Sequence, residues 1–101
     1  MRSAQIRPAV AELSDVAPPK TIQADVRAVV RRVPGVEGLD KCFVRKMGFA
    51  FYVDLHIHVN GHIPVNEGHI IAHAVEEAIM TAYPRIADVL VHVEPTSQTR
   101  L

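Results

Sequence analysis

The chain has 101 residues, enough for one domain, and its eleven basic and eleven acidic residues cancel at neutral pH. This balance gives no reason to expect binding to nucleic acid or to an anionic membrane surface. Cys42 is the only cysteine, so an internal disulfide is excluded and a reducing compartment fits. No apolar run reaches the ~20 residues that span a bilayer, and no signal peptide is visible, so we expect a cytoplasmic protein.

The first regular pattern in the chain is a helical one. Residues 1–20 are predicted to be a tail, in which any short helix over residues 8–13 ends at Pro18-Pro19. From Thr21, a plausible N-cap, apolar residues recur at helical spacing until Pro34-Gly35 turns the chain. This apolar stripe consists of Ile22, Val26, Val29, Val30 and Val33.

Two strand-like segments follow, separated by a turn at Met47-Gly48. The first, over residues 36–46, alternates imperfectly between apolar and polar residues. The second, over residues 49–60, alternates without a break, which is typical of a half-buried strand. Its predicted core side carries Phe49, Phe51, Val53, Leu55, Ile57 and Val59, and its polar side carries Ala50, Tyr52, Asp54, His56, His58 and Asn60.

The rest of the chain predicts one more helix and one more strand. Asn66 is placed to cap the helix, with Val65 and Ile70 forming a hydrophobic staple, and Pro84 ends it. Residues 87–94 alternate as a final strand, and residues 96–101 are predicted to be a tail. The helix is expected to bury Ile71, Val75, Ala78 and Ala82, with Ile70, Ala74 and Ile79 widening the stripe.

The order helix, strand, strand, helix, strand predicts an α+β two-layer sandwich over residues 21–95. We expect a three-stranded sheet with both helices on one face, and a last strand that returns through a right-handed crossover. A chain of this size buries only roughly 60–65% of the surface its unfolded form exposes. A bound metal or a dimer partner would therefore add useful stability.

The histidines suggest chemistry on the side of the sheet that the helices leave uncovered. His56 and His92, with Glu94 two residues further on, would share a site if their strands are neighbours. His69, in the first turn of the second helix, is a candidate third ligand, and His73 is its i,i+4 neighbour. Imidazole and carboxylate are ligands that zinc and related cations prefer.

The same residues also permit simpler interpretations. His58 and His62 are expected to be surface residues, Asp54 a solvated residue or a cross-strand partner, and Cys42 a small semi-buried one. Because the chain has no nucleophile motif and no Gly-rich phosphate loop, we do not expect an enzyme. A small zinc hydrolase with an open coordination position stays as a third hypothesis.

Several motifs together resemble one protein family. They are Val-Pro-Gly-Val at 33–36, Arg-Lys-Met-Gly at 45–48, Val-Asp-Leu-His at 53–56, Val-Asn-Glu-Gly-His at 65–69 and Asp-Val-Leu-Val-His-Val-Glu-Pro at 88–95. This combination resembles the cytoplasmic C-terminal domain of cation diffusion facilitator transporters, over about 75 residues. The resemblance implies a metallochaperone-like domain that forms a V-shaped homodimer and binds zinc or a related divalent cation near the dimer interface, thereby regulating transport.

The resemblance also implies a ligand set. The family's ligands map onto His56, His69, His92 and Glu94, where an aspartate is common at the last position, while His73 stands where the family has no fixed ligand. The leading hypothesis is a metal-binding regulatory domain of a transporter, whose membrane part is absent from this chain, or a stand-alone relative. A metal-independent structural dimerisation module is the alternative. The pattern leaves the physiological metal and the number of ions per dimer open.

Overall fold

A computed structural model describes residues 19–96 of the chain. In this part no helix is long and apolar enough to cross a membrane. The order of elements is the one that the sequence predicts. The elements are α1 (Pro19–Val30), β1 (Gly38–Met47), β2 (Ala50–Val59), α2 (Val65–Ala82) and β3 (Ile86–Pro95).

The three strands form one sheet in the order β1-β2-β3. β1 and β2 are a hairpin and pair antiparallel, whereas β3 returns after α2 to pair parallel with β2. A parallel neighbour needs a crossover connection, and here α2 supplies it. The central strand β2 therefore determines the position of both of its neighbours.

Both helices cover the same face of the sheet, which confirms the two-layer α+β prediction. The buried side of β2, centred on Leu55 and Ile57, packs in one cluster with apolar residues of both helices. Along β2, buried and partly exposed residues alternate without interruption, as the period of the sequence predicts. The other face of the sheet, called the open face below, carries the polar side chains of β2.

The first helix differs from the prediction at its start and at its end. It begins at Pro19, inside the predicted tail, since proline is well tolerated in the first helical turn, where its missing N–H would be unpaired anyway. It ends at Val30, before Val33. Gly35 then takes a φ of 96°, and a Cβ there would lie 2.6 Å from Cδ1 of Ile71. Glycine therefore lets this turn pack directly against α2.

The predicted start of α2 is wrong in detail. The helix begins at Val65 with Pro64 as its N-cap, and no side chain caps it, so Asn66 does not have the predicted role. Val65 is 90% exposed and Ile70 is 63% exposed, which excludes the hydrophobic staple. Two further residues of the predicted stripe are also exposed, because the buried side of α2 is narrower than the periodicity suggested; they are Ala74 and Ala82.

The hairpin turn lies one residue later than predicted. Met47 pairs with Ala50, which leaves Gly48 and Phe49 as the two turn residues, and Gly48 has a φ of 64°. Phe49 is consequently 71% exposed rather than part of the core. The strand pattern continued through Phe49 because the alternation of side chains alone does not mark where a turn begins.

Replacement of Leu55 by alanine is expected to lower the free energy of unfolding by about 2–5 kcal/mol, because this side chain is fully buried on the central strand. The exposed Val65 is the matched control, and Val65→Ala should change stability by no more than about 0.5 kcal/mol. Urea denaturation followed by circular dichroism measures both. Equal effects of the two substitutions would contradict the packing described above.

Candidate metal centre

The open face presents rows of side chains that run across the three strands. One row contains Phe43, Asp54 and Leu90. In the next row His56 of β2 lies beside His92 of β3, and in the row after it His58 lies beside Glu94. The predicted neighbours His56, His92 and Glu94 are thus together because β2 and β3 are adjacent, parallel and in this register.

His56 makes close contacts with both of the other predicted residues. Its ring stacks on that of His92, with centroids 4.3 Å apart and planes 15° from parallel. Its Nδ1 lies 2.6 Å from Oε2 of Glu94, which is a hydrogen bond between the imidazole and the carboxylate. Adjacent strands bring both partners within reach of one ring.

This hydrogen bond affects both the ionisation of Glu94 and the position of the proton on His56. The bond from His56 holds the pKa of Glu94 below its usual value, although partial desolvation acts in the opposite direction. Glu94 therefore stays ionised and accepts the Nδ1–H of His56. The Nε2 of that ring is then left with its lone pair, as in histidine ligands that a carboxylate orients from behind.

Asp54 has a larger part in the site than its sequence context suggested. Its Oδ1 lies 3.0 Å from Nε2 of His92, within ion-pair distance, yet this buried oxygen has no hydrogen-bond partner. A buried polar atom without a partner is uncommon and requires an explanation. Asp54, His56 and His92 each offer a ligand atom within 4.8 Å of the others.

A second group of possible ligands lies beside the first one. Asp40, His58 and Glu94 also offer ligand atoms within 4.8 Å of one another. The register of β1 against β2 shifts between Leu39 and Cys42, which is a bulge that redirects side chains there. The sequence predicts a surface position for His58 and gives no reason to select Asp40. The i, i+2 spacing of His56 and His58 is the local signal that points toward this group.

The helical histidines lie apart from these two groups. The Nε2 atoms of His69 and His73 are 3.1 Å from each other. Neither residue belongs to a group of three ligand atoms within residues 19–96. His69 lines a cleft of about 410 Å³ together with Glu94, so it borders the sheet site without entering it. His62 is exposed, and its backbone N–H donates to Oδ1 of Asn60.

Cys42 is fully part of the core rather than semi-buried. Burial raises the pKa of its thiol, while the positive charge of Arg27 lowers it to a smaller extent. Metals bind the thiolate, so this cysteine is a poor candidate ligand.

The chemistry of the donor groups fits a divalent transition metal. Around a tetrahedral zinc ion with bonds of about 2.0–2.2 Å, ligand atoms lie ~3.3–3.6 Å apart. The candidate atoms of Asp54, His56 and His92 lie within 4.8 Å of each other, so small rotations of partly exposed side chains bring them to these distances. The cluster of Asp54, His56, His92 and Glu94 is called the sheet cluster below.

The tautomer of His56 provides a direct test of this geometry. We expect the neutral ring of His56 to carry its proton on Nδ1, because Glu94 accepts a hydrogen bond from that atom. Glu94→Ala should shift the ring toward the Nε2–H form. Long-range ¹H–¹⁵N spectra of the histidine rings measure this, with the exposed His62 as internal control. An unchanged His56 tautomer in the variant would contradict the hydrogen bond.

The chain is similar to known proteins over most of its length. A family model named ZT_dimer and described as "Cation efflux protein, cytoplasmic domain" matches residues 18–96. The cation-efflux pump FieF of Klebsiella pneumoniae subsp. pneumoniae is 32% identical over 89 residues, which are 88% of this chain and 29% of that pump. FieF of Yersinia enterocolitica is 34% identical with the same coverage. The chain therefore spans less than a third of the length of these relatives.

The fold is also similar to that of solved structures of one protein domain, the MamM CTD. A variant of the MamM CTD in a manganese form matches with a TM-score of 0.73 and 28% identity, covering 75% of this chain and 96% of that one. A variant in a nickel form matches with a TM-score of 0.75 and 27% identity, covering 77% and 99%. A variant in a zinc form has a TM-score of 0.74 and 27% identity, covering 77% and 86%.

The α-β-β-α-β order and the three-stranded sheet with its two helices agree with the fold of these structures. The family match covers the whole described part of the chain, residues 19–96, and its description refers to the cytoplasmic part of a transport protein. The chain belongs to the family of cytoplasmic domains of cation efflux proteins.

Proposed function

We propose that this chain is a regulatory domain of a divalent-cation transporter, in which the sheet cluster binds zinc or a similar ion and thereby tightens a homodimer. The observation that carries the proposal is the convergence of two imidazoles and two carboxylates on neighbouring strands, with Oδ1 of Asp54 left without a hydrogen bond. A cation between Asp54 and His92 would give that oxygen the partner it lacks.

Partial exposure of the cluster supports a sensing role. The side chains of Asp54, His56, His92 and Glu94 are between 20% and 43% exposed, so an ion has a path to them from solvent. A structural zinc site is usually closed by four protein ligands. An accessible site can instead fill and empty as the concentration of the cation changes, which is what regulation requires.

The open face also has the character of a protein interface. Phe43 and Leu90 flank Asp54 in one row and are 55% and 57% exposed. Large apolar side chains in a shared exposed row favour association with a partner. The matching family model is named for a dimer, so we propose a second copy of this chain as the partner, joined through the open face.

Charge gives a reason why a cation would tighten such a dimer. Each copy would bring Asp54 and Glu94 to the interface, and carboxylates that approach one another repel. Bound cations would neutralise these charges, so the dimer would bind the ion more tightly than the monomer does. By linkage, the ion then stabilises the dimer by the same factor.

The role in transport is also part of the proposal. We propose that the domain acts together with the membrane part of a cation efflux protein, and that the site binds its ion without catalysing a reaction, because the curated relatives are cation-efflux pumps. Zinc is the proposed physiological ion. MamM CTD variants exist in manganese, nickel and zinc forms, so selectivity among divalent ions needs to be measured.

Zinc binding is expected to depend on the two histidines of the sheet. A melting scan of the zinc-free protein should show an increase in stability on addition of Zn²⁺, about 2.7 kcal/mol at 100 times the Kd. The His56→Ala, His92→Ala double variant should lose most of this gain, because both imidazoles of the cluster are removed. His62→Ala, which changes an exposed histidine outside the cluster, is the matched control and should respond like the wild type.

Two results would reject this proposal in different ways. If zinc stabilised the double variant as much as the wild type, the zinc site would have to lie elsewhere in the chain. If neither zinc nor a chelator changed the stability or the oligomeric state of the wild type, the result would favour the metal-independent dimerisation module instead. Isothermal titration with Co²⁺ and Ni²⁺ would then rank the ions that the cluster accepts.

The dimer is expected to depend on the apolar row of the open face. Leu90→Glu should shift the protein toward monomer in sedimentation velocity, with and without zinc, because it adds a carboxylate beside Asp54 in the proposed interface. Val65→Glu places the same charge on the exposed start of α2 and should leave the equilibrium unchanged. A stronger effect of the Val65 variant would place the dimer contact on the helical layer.

A further inference from the structure

We propose that His69 and His73 form a second divalent-metal site on the exposed side of α2, separate from the sheet cluster. The two residues are one helical turn apart, and their Nε2 atoms already approach each other to 3.1 Å. The rings are nearly perpendicular, with centroids 4.5 Å apart. This proposal does not rest on the proposed function, because it needs only α2 and its own side chains.

The distance between the two nitrogens is the one that a chelated ion requires. With metal–nitrogen bonds of about 2.0–2.1 Å, two imidazoles on one ion have nitrogens ~2.9 Å apart at a right angle and ~3.3 Å apart at the tetrahedral angle. The observed 3.1 Å lies between these values. Without an ion, one ring must donate an N–H to the lone pair of the other at this distance. A bound ion takes the place of that proton between the two nitrogens.

Glu76 lies close to the ring nitrogen of His73 that faces away from His69. Its Oε1 lies 3.5 Å from Nδ1 of His73, one helical turn further along α2. A carboxylate at Nδ1 favours a proton there, which leaves Nε2 of His73 with its lone pair directed toward His69. Glu76 and Glu77 also line a hollow beside His73, so negative charge and space for water lie next to the pair.

The pair differs from the sheet cluster in its number of ligands. No third histidine, cysteine or carboxylate of residues 19–96 joins the two histidines within 4.8 Å. A bound ion would therefore complete its coordination with water. Two imidazoles with open positions suit Zn²⁺, Ni²⁺ and Cu²⁺ rather than Mg²⁺ or Ca²⁺, which prefer oxygen ligands. We expect this site to bind more weakly than the sheet cluster and to exchange its ion faster.

The two sites also divide the predicted ligands between them. His69, which the family resemblance implies for the main site, makes its close contact with His73 instead. If Nε2 of His69 binds an ion with His73, the sheet site keeps Asp54, His56 and His92 as ligands, and Glu94 orients His56 through its Nδ1. Removal of His73 should then abolish the weaker site and leave the stronger one unchanged.

Calorimetric titration of the full chain with ZnCl₂ alone tests the proposal. The wild type should bind two classes of Zn²⁺, and His73→Ala should lose one ion per chain from the weaker class. The His56→Ala, His92→Ala variant should keep that weaker class, and adding His73→Ala to it should remove the class. His73 is 62% exposed, so its replacement is not expected to disturb the fold.

A register control separates chelation from histidine content. The double variant His73→Ala, Ala74→His keeps six histidines but moves one to an exposed position that does not face His69. This double variant should bind Zn²⁺ as weakly as the single variant His73→Ala does. In long-range ¹H–¹⁵N spectra of the wild type, Zn²⁺ should shift the Nε2 resonances of His69 and His73 together.

The outcomes distinguish this site from the sheet cluster. Equal zinc stoichiometry of the wild type and His73→Ala would overturn the helix site, whatever the sheet variants show. Loss of the weaker class only in the His56→Ala, His92→Ala variant would also overturn it, since both ions would then belong to the sheet. Full binding by the register control would assign the weaker class to unchelated surface histidines.

Discussion

The register between β2 and β3 is the constraint on which the rest of the site depends. It places His56 beside His92 and His58 beside Glu94, and every close contact of the sheet cluster follows from those two pairings. The period of a strand is two, so a slip of one residue would turn the imidazoles into the core and the apolar side chains outward. The buried residues Leu55 and Ile57 make such a slip very unfavourable. The core therefore fixes the positions of the proposed metal ligands, although none of them belongs to it.

The small size of the chain explains why the candidate ligands are on an open face. Two helices are enough to cover one side of a three-stranded sheet, and both helices are on the same side. The other side has to be stable in contact with water or with a partner. Polar residues of β2 and β3 meet the first requirement, and exposed Phe43 and Leu90 are suited to the second. The proposed cation site and the proposed dimer contact thus lie on the same face, the one that the fold leaves uncovered.

Much of this arrangement could be predicted from local sequence patterns. The alternation of β2 and the helical stripes gave the order of elements and the correct buried side of the central strand. What they missed depends on contacts between elements. Asp40 reaches the second ligand group through a bulge that exists only in the pairing of β1 with β2. The role of Asp54 required the parallel position of His92. Val65 and Ile70 looked like a helix staple, but the chain enters α2 without burying either of them.

The two sets of histidines should differ in their effect on the rest of the molecule. An ion shifts an equilibrium only by its difference in affinity for the two states. The sheet cluster joins β2 to β3 and borders the proposed interface, so its affinity depends on strand pairing and on association. The His69–His73 pair lies within one helix, and its geometry is the same whenever α2 is formed. An ion there stabilises α2 but has no means of favouring the dimer unless a partner supplies one of its open coordination positions. If both proposed sites bind ions, regulation by the cation would therefore act through the sheet, and the helix pair would be an accessible binding point beside it.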